Sequence, residues 1–498
     1  MNSIASGNVP GSQESRAVFT AAERAVIGPV RVWQILLLLA IVLRLVTLPL
    51  VPLTDHTEAR YAEIARLMVQ SGDWISPHIT PQEVFWAKPP LSTWSQALLM
   101  QGFGVNEWSG RLAAWLWSLM ALASFAWLLR DSVSRVHRWA MLTALMLCPM
   151  FFICAGAVMT DATLSACVLL VQAAWWHVLS AKGIEGRRRA GRILAFGLGL
   201  ALLTKGPAAA VLALLPVLMH AGWRRHWPAV MTVMRDPVAW LVWMAVGLPW
   251  YVAAELKTPG FIQYFVLGEH VMRFIQPGWK GDRYGFAHAE PLGMIWAFTL
   301  VSALPWFLMA VVRWPWLRWT QGRGAAASTL RQAVGTELAS YALCITLAPL
   351  LLFSAAGNII MTYSMTALPG VVVLAFALWP ARSLFKPGVS VLAAAVLAVM
   401  GWLFVAKVPG LSERSSDKVL IQAFERACGQ HACGLHYEDK PPYSAYFYTQ
   451  GRLYQDMIAE AGAPSFVVRS KAKIPAAEQA LLTCNKDACL LPSSPSQP

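Results

Sequence analysis

Residues 33–53 read WQILLLLAIVLRLVTLPLVPL, and residues 54–94 read TDHTEARYAEIARLMVQSGDWISPHITPQEVFWAKPPLSTW. The first stretch is apolar over the roughly 20 residues that a helix needs to cross a bilayer. The second packs acids, bases, aromatics and prolines into a loop that leaves the membrane directly. Hydrophobic chains keep most connections short, so a polar loop of this size at a membrane edge points to a site.

Further apolar runs lie near 109–129, 138–158, 161–181, 192–204, 206–221, 238–256, 291–313, 338–355, 359–379 and 388–405. Together they predict an all-α polytopic membrane protein with about eleven or more transmembrane helices. The runs at 192–204 and 206–221 are short and read as a tight hairpin. Composition agrees with this class: the chain of 498 residues is 57% hydrophobic and only 13% charged. Its 24 tryptophans suit bilayer interfaces.

The net charge of +14 could suggest a nucleic-acid partner. The cations instead fall in alternate short loops, as in Arg130–Arg138, Lys182–Arg192, Arg224–Arg235, Arg313–Arg331 and Arg382–Lys386. That is positive-inside patterning, which sets orientation and removes the need for nucleic acid. It predicts a cytoplasmic tail over 1–30 with no cleavable signal, a membrane domain over 31–406, and outer loops at 54–108 and 257–290. A separate periplasmic region follows at 407–498. The expected location is a bacterial inner membrane, with the site facing the periplasm.

The 407–498 region mixes a helical pattern at Asp417–Ala427 with a strand-like run at Ser465–Val468. It reads as a small α/β domain of about 90 residues, near the lower size for independent folding. Its cysteines, Cys428, Cys433, Cys484 and Cys489, form two C-x4-C pairs and are disulfide candidates by any of three connectivities. Zinc, with His431 or His436 as a further ligand, is the alternative. Cys148, Cys154, Cys167 and Cys344 fall in apolar runs and read as small buried residues.

The chemistry falls to the outer loops. Thr57–Gln70 has the period of an amphipathic helix, expected to lie on the membrane surface. Asp55 and Glu58, three apart at its start, read either as a capping box or as catalytic carboxylates. Arg60 and Glu63 have the spacing of a surface pair. Lys88 stands in a turn stiffened by Pro89 and Pro90, and Lys205 is the only charge at the tip of the short hairpin. Either could meet a lipid phosphate as a point charge. The 257–290 loop adds His270, Arg273, Lys280, Arg283 and His288 among aromatics. A cationic, aromatic pocket at lipid level suits a phosphorylated lipid. A carboxylate there could deprotonate an acceptor hydroxyl while cations stabilise the departing phosphate. No Gly-rich phosphate loop points to a nucleotide-sugar donor.

These residues also carry a resemblance. Glu58-Ala59-Arg60-Tyr61-Ala62-Glu63-Ile64-Ala65-Arg66, Ser71-Gly72-Asp73-Trp74, Lys88-Pro89 and Leu202-Leu203-Thr204-Lys205-Gly206-Pro207 resemble the C-type glycosyltransferases. The likeness is to bacterial lipid A aminoarabinose transferases and protein O-mannosyltransferases. Glu269-His270-Val271-Met272-Arg273-Phe274 and Thr362-Tyr363 match more weakly. The resemblance implies the C-type glycosyltransferase fold and an undecaprenyl-phosphate-linked sugar as donor, with inversion at the sugar carbon. It implies a lipid A, other glycan or protein acceptor, and a divalent metal in some members. By that likeness Asp55 and Glu58 are the catalytic candidates, Asp55 first. Arg60, Lys88, Lys205, His270, Arg273 and Tyr363 are the donor-phosphate candidates. Two positions depart from the family pattern: Thr57 stands where aminoarabinose transferases have an acid, and Ala87 stands where an acid precedes the loop lysine. Other classes the residues allow are a lipid-linked-sugar flippase and a non-catalytic scaffold that binds lipid-linked sugar. A flippase is disfavoured by the absence of an internal repeat.

Overall fold

The computed structural model describes residues 12–493, apart from 56, 277–278, 282, 285–287, 289, 380, 430, 456, 461–462 and 480–481. Helix α1 (Ser12–Val46) carries the first apolar run and shows how the bundle meets lipid. Val32, Ile35, Leu39, Val42 and Val46 recur every three or four residues and are exposed. Trp33, Leu36, Leu37 and Ala40 occupy the opposite stripe and are buried. In water an exposed stripe of this size would be costly, so the outer face is built for a bilayer.

Among the described residues seven helices are long and apolar enough to cross a membrane, or eight if the bent pair Met294–Ser302 and Trp306–Thr320 is one span. Several apolar runs are broken. The 138–158 run divides into α5 (Arg135–Met146) and α6 (Pro149–Cys154), with Pro149 opening the second piece. The 359–379 run becomes a 3-10 stretch, Met361–Ala367, followed by a helix, Leu368–Ala377. The hairpin is present as α8 (Gly183–Lys205) and α9 (Pro207–Arg224), joined by Gly206 alone. The first eleven residues of the expected cytoplasmic tail lie outside the described residues.

The loop at 54–108 is folded. It holds α2 (Glu58–Ser71), a two-stranded ribbon of β1 (His78–Thr80) and β2 (Glu83–Val84), and α3 (Leu91–Phe103), which leads to α4 (Glu107–Leu129). The expectation of a membrane-surface helix at 57–70 does not hold. Residues Glu58, Ala59 and Tyr61–Met68 of α2 are buried, because the C-terminal region covers the face that reads as polar. Glu63 accepts two hydrogen bonds of 2.7 Å from Arg66, and Arg66 also donates to the Gln450 carbonyl. The expected Arg60–Glu63 surface pair is therefore replaced by a buried Glu63–Arg66 pair.

After residue 407 the chain forms a four-stranded sheet in the order β3 (Gly434–Tyr437), β4 (Ser465–Ser470), β6 (Ala488–Ser493), β5 (Thr483–Cys484). Strands β3 and β4 are parallel, and the other pairs are antiparallel. The helix Lys418–Cys428 lays Leu420, Ile421 and Phe424 against Leu435, Val468 and Leu490. Cys428 pairs with Cys433 and Cys484 with Cys489, so each bridge closes only a local loop. Zinc is excluded at these four sulfurs by that pairing. Cys148, Cys154, Cys167 and Cys344 are free and buried.

Candidate active site

The exit from α1 is held by two buried arginines. Arg44 donates to the Phe152 and Ile153 carbonyls at the end of α6, where helix carbonyls lack intrahelical partners. A side chain at Gly156 would collide with that guanidinium, which explains a glycine there. Arg111 on α4 donates to the Leu48 and Pro52 carbonyls and holds Glu58 at 2.9 Å and 3.1 Å. Glu58 also accepts the Val158 N–H at 3.1 Å. These bonds fix the chain that delivers Thr54 and Asp55 to the start of α2.

A cavity of about 580 Å³ opens between the start of α2, the turn before α3, α7 (Asp161–Ser180), the α8–α9 tip and residues 440–443. Asp55, Arg60, Lys88, Lys205, Arg273 and Tyr363 all line it. Arg283 and Lys440 add two cations, and Asp161 adds one carboxylate. Cations therefore outnumber acids on the wall, six to two, and the cavity carries a positive potential.

The two lysines are positioned by turns. Gly206 sits at φ +61°, and a Cβ there would lie 2.6 Å from the Phe265 ring, so only glycine closes this hairpin. Closure leaves the Lys205 ammonium 2.8 Å from Asp161 Oδ1 and 4.7 Å over the Tyr363 ring. Tyr363 is in turn stacked on Phe353. Lys88 donates to the Ala87 carbonyl at 2.8 Å and reaches Glu269 Oε2 at 3.4 Å. Arg273 donates to the same oxygen at 3.0 Å, and the Tyr264 hydroxyl donates to the other at 3.0 Å. Burial pushes the Glu269 carboxyl up, but Lys88 and Arg273 outweigh it and leave it below its ordinary value. Glu269 thus spaces two cations at the cavity wall. It lies in a π-helical segment, Tyr264–Met272, whose wider turn aims it and Arg273 at the same place.

Asp55 stands at the cavity rim. The Ser444 N–H donates to its Oδ1 at 2.8 Å, and the Ser444 hydroxyl donates to its Oδ2. It is not the cap of α2; it caps the short helix Tyr443–Tyr448 from outside. Burial raises its carboxyl to about 7, against the pull of the two Ser444 bonds, and Asp417 and Asp487 push in the same direction as burial.

Two of the expected residues lie away from this cavity. Glu58 does not line the cavity: buried, it is committed to Arg111 and the Val158 N–H. Burial raises its carboxyl, and Arg111 overrides that and holds it low, which suits a structural ion. His270 is absent from this wall and lines a smaller adjoining cavity of about 110 Å³, and its ring nitrogens face the Phe265 and Lys205 carbonyls at 2.7 Å and 3.0 Å. It ties the hairpin tip to the π-helical segment. Asp161, Glu269 and Ser444 are the site members that reading the sequence for function passed over. Asp161 had a signal as the acid at the outer end of its run, and Glu269 as the residue before His270. Ser444 had none.

The residues here do not suit a divalent ion. Ala87 removes the carboxylate beside Lys88, Glu269 is engaged by two cations, and His270 faces carbonyls. Among the described residues one trio, His220, His226 and Glu337, brings such ligands together. His220 is on α9, about 20 Å along the helix from the hairpin tip. Its Nδ1 accepts the Trp175 indole N–H at 3.4 Å, and its Nε2 lies 3.1 Å from Glu337, so both nitrogens already have partners.

Residues 31–265 match the dolichyl-phosphate-mannose-protein mannosyltransferase family. The undecaprenyl phosphate-alpha-4-amino-4-deoxy-L-arabinose arabinosyl transferase of Pseudomonas aeruginosa (strain LESB58) is 30% identical over 276 residues, 54% of this chain and 48% of that protein. The enzyme of the same name from Aeromonas hydrophila is 30% identical over 320 residues, 63% and 53% of the two chains. The crystal structure of ArnT from Cupriavidus metallidurans bound to undecaprenyl phosphate superposes with a TM-score of 0.69 at 18% identity. That match covers 93% of this chain and 98% of that one. The chain resembles the polyprenyl-phosphate-sugar glycosyltransferases. The structural match shows that the membrane fold is shared along nearly the whole length. In sequence the chain spans about half the length of the curated relatives it matches.

Proposed function

We propose that this protein is a membrane glycosyltransferase that moves a sugar from an undecaprenyl-phosphate-linked donor to an envelope acceptor on the periplasmic side. The observation that carries this reading is the cavity with six cations on its wall and one hydrogen-bonded carboxylate, Asp55, at its rim. Arg60, Lys88, Arg273 and Arg283 hold the donor phosphate, and Lys205, paired with Asp161, completes the wall. Asp55 takes the proton of the acceptor hydroxyl as its oxygen bonds to the anomeric carbon. The bond from that carbon to the phosphate oxygen breaks, the electron pair stays on the phosphate, and polyprenyl phosphate leaves with its charge met by the cations. Attack from the face opposite the leaving group inverts the sugar carbon. The chain is threaded through a bacterial inner membrane by about eleven spans, several of them broken. Its Arg-rich loops face the cytoplasm.

The test is mass spectrometry of envelope glycolipids and glycoproteins from a deletion strain, complemented with wild type or with Lys88→Ala. A sugar-sized mass restored by wild type and not by Lys88→Ala supports transfer and names acceptor and sugar. No mass change in any fraction, with the protein present in the membrane, defeats it.

A further inference from the structure

A second concave surface adjoins the donor cavity and is not explained by the donor. This cleft, of about 350 Å³, lies in the C-terminal region between residues 415–417, 437–442, 468–470 and 485–488. Asp55, Lys440 and Pro442 line both spaces, so the Asp55 carboxylate is part of their common wall.

The chemistry of the two spaces differs. The donor cavity has an excess of cations, whereas the cleft has Asp55, Asp417, Asp439 and Asp487 against Lys440, Arg469 and Lys486. Two of those charges are already matched outside it, Arg469 by Glu438 and Asp439 by Lys473. What remains is a mixed polar surface, with Asp55, Asp417 and Asp487 beside Lys440 and Lys486, that lacks the cation excess of the donor cavity. Asp417 accepts from the Tyr437 hydroxyl at 2.9 Å and from the Asn485 amide at 2.6 Å, one bond per oxygen. A carboxylate offers about four acceptor sites, so both oxygens keep capacity for ligand hydroxyls. Among the described residues no hydrogen bond or salt bridge holds the side chains of Lys440, Lys486 or Asp487 at the cleft mouth. The volume falls near the lower end of the roughly 300–1,000 Å³ range of small-molecule pockets, enough for a headgroup and too small for acyl chains.

We propose that this cleft is the acceptor subsite, that it takes a hydroxyl-rich glycan end, and that it presents one hydroxyl to Asp55 from the side opposite the donor. The proposal rests on the glycosyltransferase reading above. It assigns the two substrates to two doors of one wall: the lipid-linked donor reaches Asp55 from the cavity at membrane level, and the acceptor reaches it through the C-terminal region. Lys440, on both walls, would sense both substrates.

The test uses the full chain in lipid nanodiscs and three probes: undecaprenyl phosphate, lipopolysaccharide core oligosaccharide freed of lipid, and a Ser/Thr-rich peptide. Lys486 and Asp487 are exposed, so Lys486→Glu and Asp487→Lys leave the fold intact. Wild type loaded with undecaprenyl phosphate is expected to bind the oligosaccharide in saturation-transfer NMR. Each charge reversal is expected to weaken that binding at least tenfold with undecaprenyl phosphate binding unchanged by native mass spectrometry. Oligosaccharide binding that is absent in wild type or indifferent to both reversals overturns the subsite, and so does capture of the peptide in place of the oligosaccharide. Failure of wild type to bind undecaprenyl phosphate strikes the function reading instead, which keeps the two failures apart.

Discussion

Ser444 gives both its backbone N–H and its hydroxyl to the Asp55 carboxylate, across 389 residues of chain. The serine is fully buried, and its oxygen also accepts the Asp417 N–H at 2.9 Å, so its orientation is fixed from both sides. The residue proposed to take the acceptor proton is thus held by a segment beyond the last membrane helix.

Removing the hydroxyl should therefore change the acidity of Asp55. Both Ser444 bonds pull its pKa down. In Ser444→Ala one of them is lost, and the pKa moves above its value of about 7. The acid limb of the transfer-rate profile is expected to shift to higher pH, with the rate recovering in alkaline buffer, while Ser444→Thr stays near wild type. A loss of rate that is uniform across pH would mean that Ser444 supports the fold and does not tune Asp55.

Stability should carry the same signature. The folded-state pKa of Asp55 lies above the ordinary carboxyl value of 3.8, so folding favours its protonated form. The stability it contributes is fully present below about pH 4 and is lost as pH rises toward about 7. Asp55→Asn, which cannot titrate, is expected to flatten the pH dependence of thermal unfolding within that window. An unchanged slope between the two pH values would remove Asp55 as its source.

Glu58→Gln is expected to behave differently from a catalytic change. It leaves Arg111 buried with its charge unmatched, a loss of about 3–5 kcal/mol for a broken buried pair. The expected readout is a much lower unfolding temperature in detergent, with whatever protein remains folded keeping its pH profile. A protein of wild-type stability that had lost turnover would return Glu58 to the reaction.

Gly206→Ala tests the hairpin. The new methyl group meets the Phe265 ring at 2.6 Å, at a positive φ that alanine disfavours. Strain of this kind costs about 1–3 kcal/mol. Because the tip carries Lys205 onto Asp161 and Tyr363, affinity for undecaprenyl phosphate is expected to fall along with stability. Equal binding by mutant and wild type would show that the lysine position does not depend on this turn.

Much of this architecture was legible because its causes are local. Apolar length marks α1, α4 and α7, and Gly206-Pro207 marks a hairpin whose tip must expose Lys205. Lys88 could be found because prolines leave it few orientations. Reading failed where a residue's meaning depends on a distant partner. Nothing around Glu58 announces Arg111, 53 residues away, and the pattern of α2 could not reveal that the Tyr443–Tyr448 helix would cover its polar face. A carboxylate near a helix start looks alike whether it caps that helix, meets a buried arginine or serves as a base. The partner decides, and here the partners are long-range.

The Ser444–Asp55 clamp also bears on biosynthesis. Asp55 leaves the ribosome 389 residues before the serine that clamps it. A ribosome that stops before residue 444 would release a product with every apolar helix and the cations of the 54–290 region, yet with its base unclamped. On the proposed function, such fragments would keep the phosphate-binding cations and lack the clamp on Asp55. On the proposed function, synthesis of the segment around Ser444 becomes a condition for activity, and lipid-linked sugar would be spared by chains that lack it.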